Sequence, residues 1–397
     1  MAGTDSPRAR DEALSRALER RRKAGLYRRP RVVDAGFEAP WQMVDGRRCI
    51  GFSSNDYLGL ARDPRIADVL AQAAGRWGTG SGAAHLAGGH TREHEALEET
   101  RAEGTGRPRA LRFSTGNMAN LGALTALVGR TDLILEDRLN HASLIDAARL
   151  TGATVRRYAH GDPAALRRRL EAAGQSRSFV VTDGVFSMDG DVAPVTEIAS
   201  VCAEHDACLI VDDAHGLGVI GPDGLGATAG IAPAQVPVLV GTLGKALGGF
   251  GAFVAGSEPL VETLIQRARS WIYTTAPPPA VAAAVREAVN IARTEDWRRE
   301  RLSDHIGHFR RSAASLGLNL APSDTPIQPV ILGSARAAVT ASEALFEAGL
   351  WVPAIRPPTV PEGSARLRVS LSAAHADADV ERLLDALSGL GPMTAGS

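Results

Sequence analysis

The segment CLIVDDAHG (residues 208–216) decides the fold class of this 397-residue chain. Its apolar first half predicts a buried strand, and two aspartates and a histidine follow where that strand ends. Similar apolar runs recur along the chain and alternate with Ala- and Leu-rich helical segments; these runs are LRF (111–113), LILE (133–136), FVVTD (179–183) and VPVLVG (236–241). Strands that alternate with helices predict parallel βαβ units and hence an α/β sheet with helices on both faces.

The pattern changes after Pro277-Pro278-Pro279, where a long helical stretch opens an α+β layout. Within that layout we expect strand 326–332, helix 335–348, strand 350–355, strand 366–371 and helix 376–388. The chain then divides into four predicted parts. These are an N-terminal arm that belongs partly to the small domain (1–55), a large domain (56–285), a smaller C-terminal domain (286–390) and a tail (391–397).

Composition excludes several classes of protein. Basic and acidic residues nearly cancel, 44 against 45, and 44% of the residues are hydrophobic, which is ordinary for a globular protein and unlike a charge-driven nucleic-acid binder. The three cysteines have neither metal-ligand spacing nor a disulfide framework, which indicates a reducing compartment. The sequence contains no signal-peptide core and no long apolar run, so we expect a cytoplasmic protein that does not contact a membrane.

Lysine usage is the most informative feature of the composition. Only two of the 44 basic residues are lysines. Lys23 lies in a run of arginines, where any cation would serve, whereas Lys245 lies in GTLGKALGGFG (241–251), away from other charges. An amine can lose its proton and attack a carbonyl, which a guanidinium cannot do. Lys245 is therefore the candidate nucleophile, and an ordinary surface lysine is the alternative.

Two predicted strand ends bring a carboxylate and this amine together. Asp212 ends the strand at 208–213 and Lys245 follows the strand at 236–241, and ligands of α/β sheets bind where parallel strands end. A lysine Schiff base and an aspartate at a pyridine nitrogen are the groups that pyridoxal phosphate needs. The turn Ser114–Asn120 opens a predicted helix over 117–128, whose N-terminus suits the phosphate. A strand-end aspartate that only caps a turn is the alternative for Asp212.

Two histidines and a serine are further candidates. His141 opens the predicted helix 141–151, where a charged imidazole is disfavoured, so a neutral ring stacked on a flat cofactor and a plain helix cap are both open. His215 and Ser187 could reach the phenolic oxygen of the cofactor. The motif GLGVIG (216–221) matches G-x-G-x-x-G, but the glycine-rich residues after it cannot form the helix that a dinucleotide site requires.

Together these motifs resemble the α-oxoamine synthases, which are pyridoxal-phosphate enzymes of fold type I. The resemblance covers nearly the whole chain in order; it runs through SSNDYLGL (53–60), DRLNHASLIDA (137–147), DGVFSMDGD (183–191), VDDAHGLGVIG (211–221), TLGKALG (242–248) and RPPTVPEGSARLRVSLSAAH (356–375). It implies an aspartate-aminotransferase-like fold with a large, mostly parallel domain and a smaller α+β domain. It also implies decarboxylative condensation of an amino acid with an acyl thioester.

The segment RPPTVP resembles the branch of the family that joins L-alanine to a pimeloyl thioester in biotin biosynthesis. The resemblance leaves open whether coenzyme A or an acyl carrier protein carries the acyl group. Three alternatives stand beside this hypothesis. They are another member of the family that uses glycine with acetyl-CoA or makes a secondary metabolite, a nicotinamide-dependent oxidoreductase, and a non-catalytic scaffold that binds an acyl carrier.

The resemblance also implies a role for each site residue, with no metal ion. Lys245 would form the Schiff base and transfer the proton, and Asp212 would pair with the pyridine nitrogen. The other cofactor contacts implied are His141, His215, Ser187, Gly116, Asn117 and Thr242, with Thr274 or Thr275 reaching the phosphate of the neighbouring subunit in a homodimer. Arg28, Thr359, Arg368 and His141 match substrate-contacting positions.

Four positions depart from the pattern of the family. Asp183 stands where a glutamate is usual, and Asn117 stands where an aromatic residue follows the phosphate-loop glycine. Ala84 and His85 differ within the glycine-rich segment 78–89. None of these departures involves Lys245 or Asp212, so they bear on the acyl substrate more than on the cofactor.

Overall fold

The computed structural model describes residues 7–34 and 38–390. The helices are α1 (Pro7–Lys23), α2 (Pro64–Trp77), α3 (Arg92–Gly104), α4 (Gly116–Leu127), α5 (Ala142–Leu150), α6 (Pro163–Glu171), α7 (Val195–Glu204), α8 (Glu258–Arg267), α9 (Arg269–Ile272), α10 (Pro279–Thr294), α11 (Trp297–Ser315), α12 (Ala335–Glu347) and α13 (Asp377–Ser388). The strands are β1 (Val33–Asp34), β2 (Trp41–Val44), β3 (Arg47–Gly51), β4 (Arg109–Phe113), β5 (Leu133–Asp137), β6 (Thr154–Tyr158), β7 (Ser178–Asp183), β8 (Cys208–Asp212), β9 (Val238–Thr242), β10 (Ala252–Gly256), β11 (Ile327–Gly333), β12 (Leu350–Trp351), β13 (Ala354–Ile355) and β14 (Ala365–Ser370).

A seven-stranded sheet in the order β4-β10-β9-β8-β7-β5-β6 forms the centre of the molecule. The strands β5 to β9 pair in parallel, whereas β10 is antiparallel to both of its neighbours. The predicted α/β class with a mostly parallel sheet is confirmed. The sequence prediction omitted β6, whose residues are mostly exposed, and β10, whose apolar core lies among glycines that resemble a loop.

Side chains of β8 alternate between the two faces of this sheet. Ile210 packs in a core cluster with α4, α5 and α8, whereas Leu209 and Val211 pack in a second cluster with α6 and α7. Period-2 alternation with both faces buried gives the continuous apolar run that the sequence showed. The charged residues after the run therefore emerge at the end of the strand rather than on either face.

Two smaller sheets lie outside the central one, and the N-terminal and C-terminal parts of the chain meet in the first of them. One has the order β1-β2-β3-β12, with β12 parallel to β3, and the other has the antiparallel order β11-β14-β13. The single strand predicted over 350–355 is wrong: it is two short strands in different sheets. Pro353 lies between them and has no N–H for a ladder. The predicted domain boundaries stay a prediction, and the tail 391–397 and residues 1–6 and 35–37 of the arm lie outside the described residues.

The segment after β8 makes a tight turn rather than a helix. It continues from GLGVIG into a short 3-10 turn at Pro222–Gly224, so the α-helix that a dinucleotide site needs is not there. Gly226 has φ +85°, and a Cβ there would lie 1.8 Å from an oxygen of Asp213. A glycine is therefore required where this loop folds back on the strand end. Among the described residues, no helix has the length and apolarity that crossing a membrane requires.

Candidate active site

Three adjacent strands end at the same edge of the central sheet. Asp183 of β7 lies opposite Asp212 of β8, and Asp212 lies opposite Val240 of β9. The β9 strand ends at Thr242, and Lys245 follows in the next turn. The carboxylate and the amine that the sequence singled out therefore lie at the carboxyl ends of neighbouring parallel strands, where ligands of such sheets bind.

Lys245 contacts His215 directly, with 2.8 Å between Nζ and Nε2. Burial lowers the pKa of Lys245 to about 8, so its amine loses its proton far more readily than an exposed lysine. Burial and the nearby lysine charge hold the pKa of His215 well below its ordinary value, so this ring is neutral. The pair provides a reactive amine beside an imidazole that carries no charge.

Asp212 is buried and accepts two hydrogen bonds. Asn120 donates to Oδ2 from Nδ2 at 2.7 Å, and the N–H of Ala214 donates to Oδ1 at 3.0 Å. Asn120 also donates to the hydroxyl of Ser143 at 2.9 Å. Neither Asn120 nor Ser143 was among the predicted site residues, although Asn120 lies one helical turn after Gly116, and that spacing was available as a signal.

His141 is the N-terminal cap of α5. Its Nδ1 accepts the N–H of Ser143, and its own N–H donates to Oδ2 of Asp183 at 2.7 Å. Burial lowers the pKa of His141, so the ring is neutral, as the sequence indicated. The capping role and a cofactor-facing role are compatible, because the cap uses only one ring nitrogen. The shorter Asp183 in place of glutamate holds the backbone of His141.

The start of α4 has the features of an anion site. Thr115 caps the helix by accepting the N–H of Met118 at 3.2 Å, and Gly116 and Asn117 form its first turn. A Cβ on Gly116 would have no atom within 4 Å, so space is open beside this turn. Across the site, Thr242 donates from its hydroxyl to the carbonyl of Gly251 at 3.2 Å. Free N–H groups and the helix dipole favour a phosphate here.

Arg368 joins the C-terminal part of the chain to the loop after β7. Its Nε donates to the carbonyl of Ser187 at 2.7 Å, and both Nη atoms lie 3.2 Å from Oδ1 of Asn55. Arg366 faces the same way along β14 and pairs with Asp189. Both arginines are buried, so this face of β14 is not exposed to solvent. Ser187 is held at its carbonyl, so a bond from its hydroxyl to a cofactor stays a prediction.

Arg28 and Thr359 are brought together although 331 residues separate them in sequence; Nη2 donates to Oγ1 at 3.0 Å. They line a basic surface pocket of about 390 Å³ together with Arg29 and Arg356. Two of the predicted substrate contacts therefore share one pocket, which carries positive charge suited to an anionic group. Their contact with a substrate stays a prediction.

Thr274 and Thr275 lie in the segment between α9 and α10. Thr275 forms an isolated antiparallel bridge with Ala84, so one of the four departures from the family pattern contacts the segment predicted to reach a neighbouring subunit. The structure contains one chain, and this role of Thr274 and Thr275 stays a prediction.

His85, another departure, belongs to a cluster of three histidines whose ring nitrogens lie close enough to suggest a metal site. Its Nδ1 lies 2.9 Å from Nδ1 of His90, and its ring stacks on Trp271. His94 accepts the N–H of Thr91 at Nδ1, and its Nε2 lies 2.8 Å from the carbonyl of Pro277. Since both nitrogens of His94 are engaged, the cluster is built for hydrogen bonding within the fold.

The residues at the strand ends fit pyridoxal phosphate. The amine of Lys245 has a lowered pKa, the carboxylate of Asp212 is oriented by two donors, and the N-terminus of α4 is open to an anion. A primary amine, a carboxylate and a phosphate cradle at one edge of a parallel sheet are the donor set that this cofactor requires.

Comparison with known proteins gives the same assignment. The family model for aminotransferase class I and II matches residues 47–387. The chain is 58% identical to 8-amino-7-oxononanoate synthase of Alkalilimnicola ehrlichii, covering 94% of this chain and 96% of that protein, and 58% identical to that of Halorhodospira halophila, covering 96% of each.

Solved structures agree. Serine palmitoyltransferase from S. paucimobilis with bound PLP has a TM-score of 0.91 and 28% identity, covering 97% of this chain and 98% of that one. The 8-amino-7-oxononanoate synthase of Francisella tularensis has a TM-score of 0.75 and 32% identity, covering 86% and 97%. The fold, the strand-end lysine and aspartate, and these matches together show that the chain belongs to the aminotransferase class I and II family.

Proposed function

We propose that this chain is an acyltransferase that condenses L-alanine with a pimeloyl thioester. The products are 8-amino-7-oxononanoate, CO₂ and the free thiol, and the reaction is a step of biotin biosynthesis in the cytoplasm. Pyridoxal phosphate is its cofactor. The observation that carries the proposal is the Lys245 amine, with its lowered pKa, at the strand edge next to Asp212, in a chain 58% identical to synthases of that name.

Lys245 moves the proton in this reaction. With a pKa of about 8, a substantial fraction of its side chain is the free amine at mildly alkaline pH, and Nζ can then take the proton from the α-carbon of alanine. His215 is neutral and 2.8 Å away, so it orients Nζ without supplying a competing acid. The cofactor, when bound, supplies a ring that withdraws electrons from that carbon.

Asp212 and His141 act on either side of the cofactor position. Asp212, oriented by Asn120 and Ala214, offers its negative charge to the pyridine nitrogen. His141 is neutral and held at Nδ1, so its other nitrogen is available to bind the alanine carboxylate or the thioester oxygen. Gly116, Asn117 and Thr242 would hold the cofactor, and Arg28 with Thr359 would bind the acyl substrate.

Product identification tests this function. Full-length protein loaded with pyridoxal phosphate is incubated with L-alanine and either pimeloyl-CoA or a pimeloyl-acyl carrier protein, and the product is identified by mass. We expect 8-amino-7-oxononanoate and one CO₂ per thiol released. Turnover only with glycine and acetyl-CoA would favour another α-oxoamine synthase. A colourless protein that binds a nicotinamide, or one that releases no CO₂ with any amino acid, would contradict the proposal.

We also propose that the enzyme is a homodimer whose active sites combine Lys245 of one subunit with Thr274 or Thr275 of the other. Mixing inactive Lys245→Ala protein with a Thr274→Ala/Thr275→Ala variant after mild dissociation should then restore about a quarter of the wild-type activity, since half of the random dimers carry one intact site. Absence of any recovery, with mixed dimers detected by mass, would show that each subunit builds its own site.

A further inference from the structure

A continuous chain of hydrogen bonds connects Arg368 to Lys245. Both Nη atoms of Arg368 lie 3.2 Å from Oδ1 of Asn55, and Oη of Tyr57 lies 3.1 Å from the same oxygen. Oη of Tyr57 is also 2.8 Å from Nδ1 of His215, whose Nε2 is 2.8 Å from Nζ of Lys245. Tyr57 is fully buried, and its hydroxyl contacts both Asn55 and His215.

The direction of the first bonds follows from chemistry. A guanidinium has only donors, so the Asn55 atom that faces Arg368 must be the oxygen. That oxygen cannot donate, so the hydroxyl hydrogen of Tyr57 must point to Oδ1 for the 3.1 Å contact to be a hydrogen bond. The single hydrogen of Tyr57 is then used, and its oxygen can only accept from His215.

The proton of His215 is thereby assigned to one nitrogen. Nδ1 must carry the hydrogen that is donated to Tyr57. A neutral imidazole has only one N–H, so Nε2 presents a lone pair, which accepts a hydrogen from Lys245. The same ring in its other tautomer would point an N–H at the lysine and could not accept from its ammonium form.

We propose that Tyr57 is a positioning residue that fixes the tautomer of His215, so that Nε2 faces Lys245 as an acceptor and orients the reacting amine. This deepens the proposed function, because it concerns the same lysine. Tyr57 and Asn55 have no role of their own in the catalytic assignment given above. In the proposal both residues act through the direction of their hydrogen bonds rather than through the space that their side chains fill.

Removing the Tyr57 hydroxyl tests this positioning role separately from other effects on Lys245. The titratable groups that act on Lys245 are Asp212, Asp183 and Asp213 at the ends of β7 and β8, together with Arg368 of β14. Lys245 and His141 are the other titratable groups nearest His215. Tyr57→Phe changes none of these charges and leaves the ring in the core. Any change in the titration of Lys245 then comes through His215.

The two-lysine composition makes a direct measurement possible. Full-length protein labelled with [ε-¹³C]lysine is freed of bound cofactor and titrated by NMR; Lys23, exposed at the end of α1, gives the reference signal. In Tyr57→Phe the imidazole of His215 is free to place its proton on Nε2. An N–H at Nε2 would then point at the charged amine of Lys245, which destabilises its ammonium form. We expect the pKa of Lys245 to fall by about one unit relative to wild type, because one pKa unit corresponds to the free energy of about one hydrogen bond to a charged group.

A second variant reverses the bond while keeping the tyrosine ring. In Asn55→Leu the Tyr57 hydroxyl loses its acceptor and turns to donate to Nδ1 of His215, so the Nε2–H tautomer is enforced. We expect the pKa of Lys245 to fall at least as far as in Tyr57→Phe. ¹⁵N spectra of labelled histidine should show the proton of His215 moved from Nδ1 to Nε2. This variant serves if Tyr57→Phe fails to fold.

Tyr158→Phe is the matched control. It removes the hydroxyl of another buried tyrosine, in a different core cluster on β6, and should leave the Lys245 titration and the His215 tautomer unchanged. The proposal is overturned if Lys245 titrates at the wild-type pH in both Tyr57→Phe and Asn55→Leu. Because no substrate is present, failure to condense alanine with a pimeloyl thioester would count against the proposed function alone.

Discussion

Asp183 and Asp212 lie opposite each other on β7 and β8, yet the hydrogen bonds they make differ. Asp212 accepts from the side chain of Asn120, whereas Asp183 accepts from the backbone of His141. Burial and the negative charge of Asp212 raise the pKa of Asp183 well above its ordinary value. The two carboxyls thus have different roles: the protonated Asp183 holds the cap of α5 through the backbone of His141, and Asp212 is the one proposed to pair with the cofactor.

This division predicts unequal effects of the two amide substitutions. Asp212→Asn removes the charge at the pyridine nitrogen and should lower kcat by at least about tenfold and weaken cofactor binding, since a hydrogen bond to a charged group is lost. Asp183→Asn keeps an oxygen for the N–H of His141 and should change kcat less than about threefold. Absorbance titration with pyridoxal phosphate and product assays measure both. Equal losses in the two variants would contradict the division.

Single residues differ in how well the sequence predicts them. Lys245 stands out because arginine replaces lysine almost everywhere else, and Asp212 because it ends an apolar run. Tyr57 lies in the motif SSNDYLGL (53–60), but no residue near it in sequence indicates that its hydroxyl contacts a histidine 158 residues later. Such a contact depends on how distant strands pack, and no local pattern encodes that.

The first turn of α4 is the element that we propose binds the phosphate of the cofactor. Thr115 is its cap, and the loss of a threonine cap typically costs about 1 kcal/mol. The same cap also fixes the N–H groups that face the phosphate position. Stability and affinity are therefore coupled in this element, whereas at a distant helix they are independent.

Comparison of two cap variants tests that coupling. Thr115→Ala should lower stability by about 1 kcal/mol and also weaken the binding of pyridoxal phosphate several-fold. Ser334→Ala removes the equivalent cap of α12, where Oγ accepts the N–H of Ala337 at 3.1 Å, and should lower stability alone. Thermal unfolding and absorbance titration give the two quantities. Similar cofactor affinities in both variants would show that the turn of α4 does not bind the phosphate.

At this scale the sequence predicts elements better than it predicts their pairing. The parallel strands and the helices between them were expected because both faces of the sheet are buried and the periodicity is clear. The β10 strand was not expected, since its apolar run has only four residues (252–255) and lies between Gly251 and Gly256. Similarly, the run 350–355 is apolar throughout; Pro353 interrupts it, and tertiary pairing places β12 and β13 in different sheets.

The stability of the whole molecule depends on the protonation of a buried ionisable group away from the site. Glu98 of α3 is 7% exposed and accepts the N–H of Arg112 at 2.8 Å. Burial raises its pKa to about 8 from the ordinary 4.5. Between these values the native protein holds a proton that the unfolded chain has lost, so stability decreases as the pH rises through this window, by at most about 1.4 kcal/mol per pH unit.

Glu98→Gln should remove this dependence. The amide oxygen still accepts from Arg112, and no proton is involved. We expect the decrease in Tm between pH 5 and pH 8 to be smaller in Glu98→Gln than in wild type, and the variant to be the more stable protein at pH 8. Glu103→Gln on the exposed side of α3 is the control. A pH profile of Glu98→Gln that follows wild type would show that Glu98 ionises without cost.

The position of β10 between β4 and β9 has a consequence for biosynthesis. The edge strand β4 bonds to no described strand except β10, and the ribosome adds about 140 residues after Phe113 before β10 begins at Ala252, roughly 7–30 s of elongation. Until then β4 and the turn that follows it have no neighbouring strand with which to pair. The edge of the sheet that carries the turn after β4 is therefore completed only after most of the large domain has been synthesised.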